Sequence, residues 1–325
     1  MKTGEFDRIK RFFAPLASGF PGALGLSDDA AILAPASGHE FVITTDTLVE
    51  GVHFMGDEAP ARIAAKMLRV NLSDLAAMGA RPVAYTLNIA LPGDVNDEWL
   101  AGFCAGLAAD QREFGIHLMG GDSVATPGPK VFTVTAFGET PTGCALRRNG
   151  ARPGDLVFVS GTIGDAALGL RVVRGEFSDL GIKIEADLTE RYQLPRPRLA
   201  LGAALVGLAS AAADVSDGLL ADFGHISQAS GVGATLEWRA IPLSEAARSI
   251  APLVADMKAV VLSGGDDYEL VFTAPPDAVS AIEALSGRFS TPISQIGIVN
   301  ATANVCAIDE DGRDVQIEKT GYSHG

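Results

Sequence analysis

The sequence predicts a mixed α/β (α+β) protein, not a doubly wound parallel sheet. Helix-like and strand-like segments alternate, but at irregular spacing. Residues 130–137 alternate apolar and polar side chains, the pattern of a strand with one solvated face. The 325 residues allow two domains of ordinary size. The basic, turn-rich run RRNGARPGD at 147–155 divides them, giving domains of 1–148 and 149–325.

Residues 5–13 read as a short amphipathic helix with Phe6, Ile9, Phe12 and Phe13 on one side. A Gly/Pro-rich loop at 18–26 leads through Ser27-Asp28-Asp29 to the apolar run 30–33, expected as a short strand. Residues 39–46 are the second strand. Pro60 suits a first helical turn and opens a helix to about Met78, closed by Gly79. A strand at 82–90 and an Ala-rich helix at 96–114 follow. The next strand, 116–119, is short and ends at Gly120-Gly121-Asp122.

In the second domain 156–159 is a strand, 161–164 a loop, and a helix follows to about Val173. Residues 176–195 are the most polar and least regular stretch and read as a mobile insertion. A helix at 197–208 precedes the buried strand 212–215, which runs into Ser216-Asp217-Gly218. Then come a helix at 219–230, a strand at 234–238 and two short helices within 243–257. The turn 263–267 leads into strand 268–273. A helix at 278–285 and strands at 293–299 and 305–308 close the chain.

The chain is 47% hydrophobic and 20% charged, which suits a full core. Its net charge of −15 argues against nucleic acid and anionic lipid as partners, because their phosphates would be repelled. A phosphorylated small molecule would need counter-charge, and metal ions are the obvious source. Cys104, Cys144 and Cys306 are far apart, without a CxxC pair, so neither a disulfide framework nor a zinc site is suggested. A reducing cytoplasm is the simple inference. Residues 1–13 carry several charges and no signal-peptide core, and no run approaches the ~18 apolar residues of a membrane span.

The stretch ITTDTLVEGVHF at 43–54 organises the functional reading. A β-branched run stops at Thr44-Thr45-Asp46, two neutral oxygens and a carboxylate at an expected strand end. Hard cations such as Mg²⁺ prefer such oxygen donors. The alternative is a turn in which Thr and Asp bond the local backbone. Asp28, Asp29, Asp122, Asp214, Asp217, Asp266 and Asp267 likewise sit where apolar runs meet turns, several beside Ser or Gly. If gathered at one edge they would repel. At ~4 Å and an effective dielectric of about 20, each like pair costs about 4 kcal/mol. Cations would relieve that. Alternatively each acid caps its own helix or turn.

Asp74 lies within a predicted helix, in NLSDLAAMGA, where Asp is a poor helix-interior residue. A metal would account for it, and so would a solvated helix face or a break at residues 71–74. No Gly-Lys dipeptide, GxGxxG, HExxH or GxSxG occurs. Phosphate binding would therefore use metals, glycine backbone and arginine. Arg147 and Arg148 are best placed, though a solvated basic turn explains them equally. His53 follows the Thr-Thr-Asp stretch and is either a ligand or structural.

Taken together, GEFDRI at 4–9, LSDDAAIL at 26–33, TTDTLVEGVHF at 44–54, NLSDLAAMGA at 71–80, MGGD at 119–122, LRRNGARPGD at 146–155, DVSDGL at 214–219, SGGDDYEL at 263–270 and GY at 321–322 form a recognisable series. The chain resembles the bacterial thiamine-monophosphate kinase family, in the superfamily of aminoimidazole ribonucleotide synthetase. TDTLVEGVHF separates it from other branches best. The ending GYSHG lacks the cysteine tail of the hydrogenase-maturation relatives, and no reactive Cys lies near the N-terminus as in selenophosphate synthetases.

The resemblance implies ATP-dependent phosphorylation of thiamine monophosphate to thiamine diphosphate with several Mg²⁺ ions. It implies that Asp29, Thr44, Thr45, Asp46, Asp74, Asp122, Asp214 and Asp217 hold Mg²⁺. Gly121, Asp122, Arg148 and Ser216 would lie against ATP, and His53, Asp266 and Tyr322 against thiamine monophosphate. Asp46, Asp74 and Arg148 would be catalytic. It also implies an N-terminal ATP/Mg-binding and dimerisation domain, a C-terminal α/β domain, and a homodimer whose N-terminal halves form a β-barrel. The family often has Ser where this chain has Thr44, and Glu where it has Asp266. The shorter Asp266 reaches less far toward a substrate. Two other readings stay open: another ATP-using superfamily member, such as an aminoimidazole ribonucleotide synthetase-type ligase, and a non-catalytic nucleotide–Mg binding module.

Overall fold

The computed structural model describes residues 5–322. Gly4 of the GEFDRI motif, the Phe6 side chain and the last three residues of GYSHG lie outside that description. Contacts group Met1–Leu75 with Ala80–Gly143 in one unit, and Ala76–Gly79 with Cys144–Gly325 in a second.

In the first unit α1 (Glu5–Arg8) and α2 (Ala14–Ala17) flank a π-helical turn, Ile9–Phe13, and Phe12, Phe13 and Leu16 are buried. The strand expected at 30–33 does not form. Ile32 is 68% exposed, and its N–H donates to Gly22 O in the preceding turn. The short apolar run ends two residues after Leu33 at Pro35, which has no N–H to donate to a sheet interior.

Strands β1 (His39–Val49), β2 (Arg81–Pro92), β3 (His117–Thr126) and β4 (Val131–Pro141) form a sheet ordered β1-β4-β2-β3. β4 is antiparallel to both neighbours, and β2 is parallel to β3. Helices α3 (Pro60–Ala77) and α4 (Asp97–Phe114) cover one face. Phe103 of α4 stacks on Phe132 of β4 at 5.0 Å, and Leu75 of α3 abuts Gly138 of β4. Asn96 caps α4 by accepting the Trp99 N–H, and Gly115 ends it in the left-handed conformation.

Two motifs expected at strand ends lie inside strands. Thr44–Asp46 is within β1, which pairs with β4 through Val49↔Val131. β-branched Thr47 and Val49 suit a pleated strand and carry it past the acid. Gly120–Asp122 is within β3. Gly121 serves a close approach of strands there, not a turn: at φ 152°, a Cβ would lie 1.9 Å from Leu87 O of β2.

The second unit contains, in order, β5 (Leu156–Ser160), α5 (Asp165–Val173), α6 (Ile182–Gln193), α7 (Leu199–Leu205), β6 (Ala211–Asp214), α8 (Leu219–Ser230) and β7 (Gly233–Glu237). α9 (Glu245–Ile250), α10 (Met257–Ser263), β8 (Leu270–Ala274), α11 (Val279–Phe289), β9 (Ile293–Asn300) and β10 (Val305–Ile308) complete it. Its sheet is ordered β10-β7-β9-β5-β8-β6 and is antiparallel except between β10 and β7. Successive strand residues feed opposite faces. Val157, Val159, Ala213 and Val271 pack with Phe223 and Ile226 of α8, while Phe158, Ala212 and Phe272 pack with Leu201, Leu205 and Ile282. Both sheets mix parallel and antiparallel pairs, so the fold is mixed α/β.

Residues 176–195, expected to be irregular, contain the helix α6. Leu188 and Tyr192, one turn apart, are each 1% exposed. α6 packs so tightly on α5 that a Cβ at Gly169 would lie 2.1 Å from Leu188 O. A thin apolar stripe with a small-residue partner sufficed where the composition was polar.

Candidate active site

In the first unit the site begins with strand alternation. Thr44 and Asp46 share one face of β1, and Thr45 points to the other. Asp74, on α3, meets the first pair. The Thr44 hydroxyl donates to the Asp74 carboxylate, and Asp46 shares a side-chain hydrogen bond with Asp74. Burial, the Asp74 charge and that hydrogen bond push Asp46 from 3.8 up to about 7. Two carboxyl groups hydrogen-bond each other only while one is protonated. The arrangement therefore calls for a proton or a cation, and its all-oxygen donors suit a hard divalent ion. Thr45 is not part of it: its hydroxyl donates to Val134 O at 3.0 Å and accepts from Thr135 at 3.2 Å.

Asp46 pairs with Val134, Val134 with Leu87, and Leu87 with Gly121, so Asp46 and Gly121 occupy one transverse row of the sheet. Three strand spacings put them about 14 Å apart. Asp29, Gly121 and Asp122 line one cavity of about 450 Å³, together with Ile9, Phe13 and Leu87. Asp122 accepts the Ser123 N–H at 2.8 Å, and both it and Asp29 are exposed. His53 closes the turn after β1. Its Nδ1 accepts the Val49 N–H at 3.0 Å, and its carbonyl accepts from Lys66 Nζ at 2.9 Å. An accepting Nδ1 is unprotonated, which places the proton of the neutral ring on Nε2.

In the second unit Asp214 is the buried last residue of β6, and Ser216-Asp217-Gly218 follows. Two further segments converge on this loop. Asp266 N–H donates to Ser216 O at 2.8 Å, Tyr268 N–H to Val215 O at 2.8 Å, and Tyr322 N–H to Asp217 O at 3.0 Å. The Tyr268 hydroxyl donates to Asp266 Oδ1 at 3.2 Å, and Tyr322 is 55% exposed. Ser216, Asp217, Asp266 and Tyr322 thus form one constellation. Arg148 is exposed, and its carbonyl accepts from Ser230 Oγ.

Sequence reasoning missed a buried polar network beside this constellation. Glu269 is fully buried and accepts from Ser160 Oγ (2.6 Å), Arg191 Nη2 (3.1 Å) and Arg198 Nε (2.7 Å). Asp267 accepts the Gly164 and Ala166 N–H groups at the start of α5. Burial pushes it up to about 8, against the pull of Arg191 and those N–H groups. Asp222 is buried as well and is raised to about 6 by that burial, against three backbone N–H bonds. The available signal was an acid set in an apolar run, as in YEL at 268–270.

Known proteins match this architecture along the whole chain. The AIR synthase related protein family matches twice, its N-terminal domain at residues 27–140 and its C-terminal domain at 152–309. A thiamine-monophosphate kinase from Caulobacter vibrioides is 42% identical over 99% of this chain and 91% of its own. The crystal structure of a thiamine-monophosphate kinase from Stenotrophomonas maltophilia K279a is 40% identical, with a TM-score of 0.85, over 97% of this chain and 99% of its own. The structure of AaThiL complexed with AMPPCP and TMP is 30% identical, with a TM-score of 0.79, over 99% of this chain and 97% of its own. The chain therefore belongs to the AIR synthase related protein family, among its thiamine-monophosphate kinases.

Proposed function

We propose that the chain transfers the γ-phosphoryl group of ATP to thiamine monophosphate, giving thiamine diphosphate and ADP. The observation that carries this reading is the nearly end-to-end likeness to a structure holding AMPPCP and TMP together. The Asp46–Asp74 pair supports it, since two adjacent carboxyl groups need a proton or a cation between them, and Mg²⁺ can take that place.

Mg²⁺ would be held by Thr44, Asp46 and Asp74, by Asp29 and Asp122, and by Asp214 and Asp217. Thr45 faces the other side of β1, and its hydroxyl would join them only through the lone pair left free by the bond from Thr135. Bound there, the ions would neutralise phosphate charge and bridge two anionic ligands. Gly121, Asp122 and Ser216 would contact ATP, and Arg148 would bring its cation to the transferring group. His53, Asp266 and Tyr322 would line the thiamine phosphate. A phosphate oxygen of thiamine monophosphate attacks the γ-phosphorus in line. The new P–O bond forms as the bond to the ADP oxygen breaks, and ADP leaves with that electron pair. The attacking oxygen is already anionic, so no side chain need remove a proton, and positioning does most of the catalysis.

The reading includes a homodimer whose N-terminal domains, 1–148, join their strands into a barrel, with 149–325 as the C-terminal domain. It sets the enzyme in the cytoplasm. Among the described residues no helix is long and apolar enough to cross a membrane. ADP release measured with thiamine monophosphate and with an aminoimidazole precursor tests the substrate. Release with the first alone is expected; release with the second alone overturns the reading.

A further inference from the structure

We propose that Asp222 is a positioning residue whose carboxylate sets the shape of the 216–218 loop and, through it, the groups that handle the phosphates. The inference rests on the kinase reading. Asp222 lies in the first turn of α8 and is 2% exposed. One oxygen, Oδ2, accepts three consecutive main-chain N–H groups, from Ser216 at 2.9 Å and from Asp217 and Gly218 at 3.0 Å each. Three donors converging on one buried atom fix the curvature of the loop, because each would otherwise be left unpaired.

The opposite edge of the loop is used just as fully. The carbonyls of Val215, Ser216 and Asp217 accept from Tyr268, Asp266 and Tyr322. A Cβ at Gly265 would lie 2.2 Å from Ser216 O, and one at Gly218 would lie 2.7 Å from the Ser263 backbone. The loop is clamped between Asp222 on its N–H side and the 264–268 segment on its carbonyl side. Removing the carboxylate frees three donors and lets Ser216, Asp217, Asp266 and Tyr322 shift together.

Asp217, Asp222 and His225 also bring ligand atoms within 4.8 Å of one another. Oδ2 of Asp222 is already occupied by its three donors, which favours positioning over ligation, and His225 separates the two. The experiment uses the full chain with Asp222→Ala, Asp222→Asn and His225→Ala. It reads thiamine diphosphate formation, calorimetric binding of Mg²⁺·AMPPCP, hydrogen exchange of the 216–218 amides and thermal melting.

Asp222→Ala is expected to lower kcat/KM about 10²-fold, the scale of an ångström-sized misplacement. It should also weaken Mg²⁺·AMPPCP binding and speed exchange of the three amides. Asp222→Asn keeps an acceptor oxygen and should recover to within about tenfold of wild type. His225→Ala should match wild type. The proposal is overturned if Asp222→Ala leaves kinetics and exchange unchanged, if Asp222→Asn falls as far as Asp222→Ala, or if His225→Ala falls with them. Should Asp222→Ala not fold, Asp222→Asn decides: activity lost with wild-type amide exchange overturns the proposal. A wild-type chain that makes no thiamine diphosphate overturns the kinase reading alone, since exchange and AMPPCP binding still report on Asp222.

Discussion

Asp46 of β1 and Asp74 of α3 share a hydrogen bond, so one of two adjacent carboxyl groups keeps a proton at a pH where ordinary aspartates are ionised. Thr44 donates to the same Asp74 carboxylate. A helix-interior acid and a mid-strand acid, each unfavourable alone, thus form one oxygen-donor set.

This pair makes metal-free stability pH-dependent. Asp46 stands at about 7 in the fold and at 3.8 as its ordinary value. Its contribution is therefore complete below pH 3.8 and is lost as the pH rises through about 7. The loss is on the order of 4 kcal/mol, three units at ~1.4 kcal/mol each. Urea unfolding in chelator should show wild type losing stability across that window and Asp46→Asn losing less. Equal slopes would contradict the coupling.

Asp46→Ala and Asp74→Ala should each reduce turnover about 10³-fold or more, as when a main source of transition-state charge stabilisation is removed. Cys104→Ala should not, because burial pushes that thiol up to about 12 and leaves it inert. Cys144→Ala and Cys306→Ala should be silent as well. Near-normal turnover of both Asp variants at ordinary Mg²⁺ would reject the assignment.

His53→Ala should raise the KM for thiamine monophosphate more than it lowers kcat. Its Nδ1 also holds the turn at Val49. An unchanged KM with a lower melting temperature would therefore give it a structural role only.

Gly121→Ala should destabilise the chain by about 1–3 kcal/mol, the cost of one strained backbone position. The added methyl has no room beside Leu87 O. Chemical unfolding measures this, and an unchanged midpoint would show that β3 can move away from β2.

Glu269→Ala should cost about 3–5 kcal/mol, because it takes the shared carboxylate from two partly buried arginines. Arg191 and Arg198 both donate to Glu269. A melting curve like that of wild type would show that the arginines find other partners.

The sequence made most elements legible where a strong local rule applied. Pro60 opened α3, Gly79 closed it, and alternation in 130–137 marked β4. Failures came where local rules compete with tertiary contacts. Thr-Thr-Asp and Gly-Gly-Asp looked like strand ends because Gly and Asp favour turns, yet pairing carried both strands through. α6 was hidden by polar composition, since its stripe is little more than Leu188 and Tyr192. Asp46 and Asp74 were readable as candidates, but their meeting was not, because 28 positions separate them in the chain. Glu269 was illegible for the same reason, since Arg198 and Ser160 lie 71 and 109 positions away. Asp222 is only 4–6 residues from its partners, and what stayed hidden there was the curvature of the loop that turns three N–H groups onto one oxygen.

The most direct measurement incubates the purified chain with ATP and thiamine monophosphate and follows thiamine diphosphate by chromatography, with Mg²⁺ and with excess chelator. Thiamine diphosphate should accumulate in step with ADP when Mg²⁺ is present and cease when it is removed. No product with Mg²⁺, or the same product in chelator, would contradict cation-dependent transfer between two phosphorylated ligands.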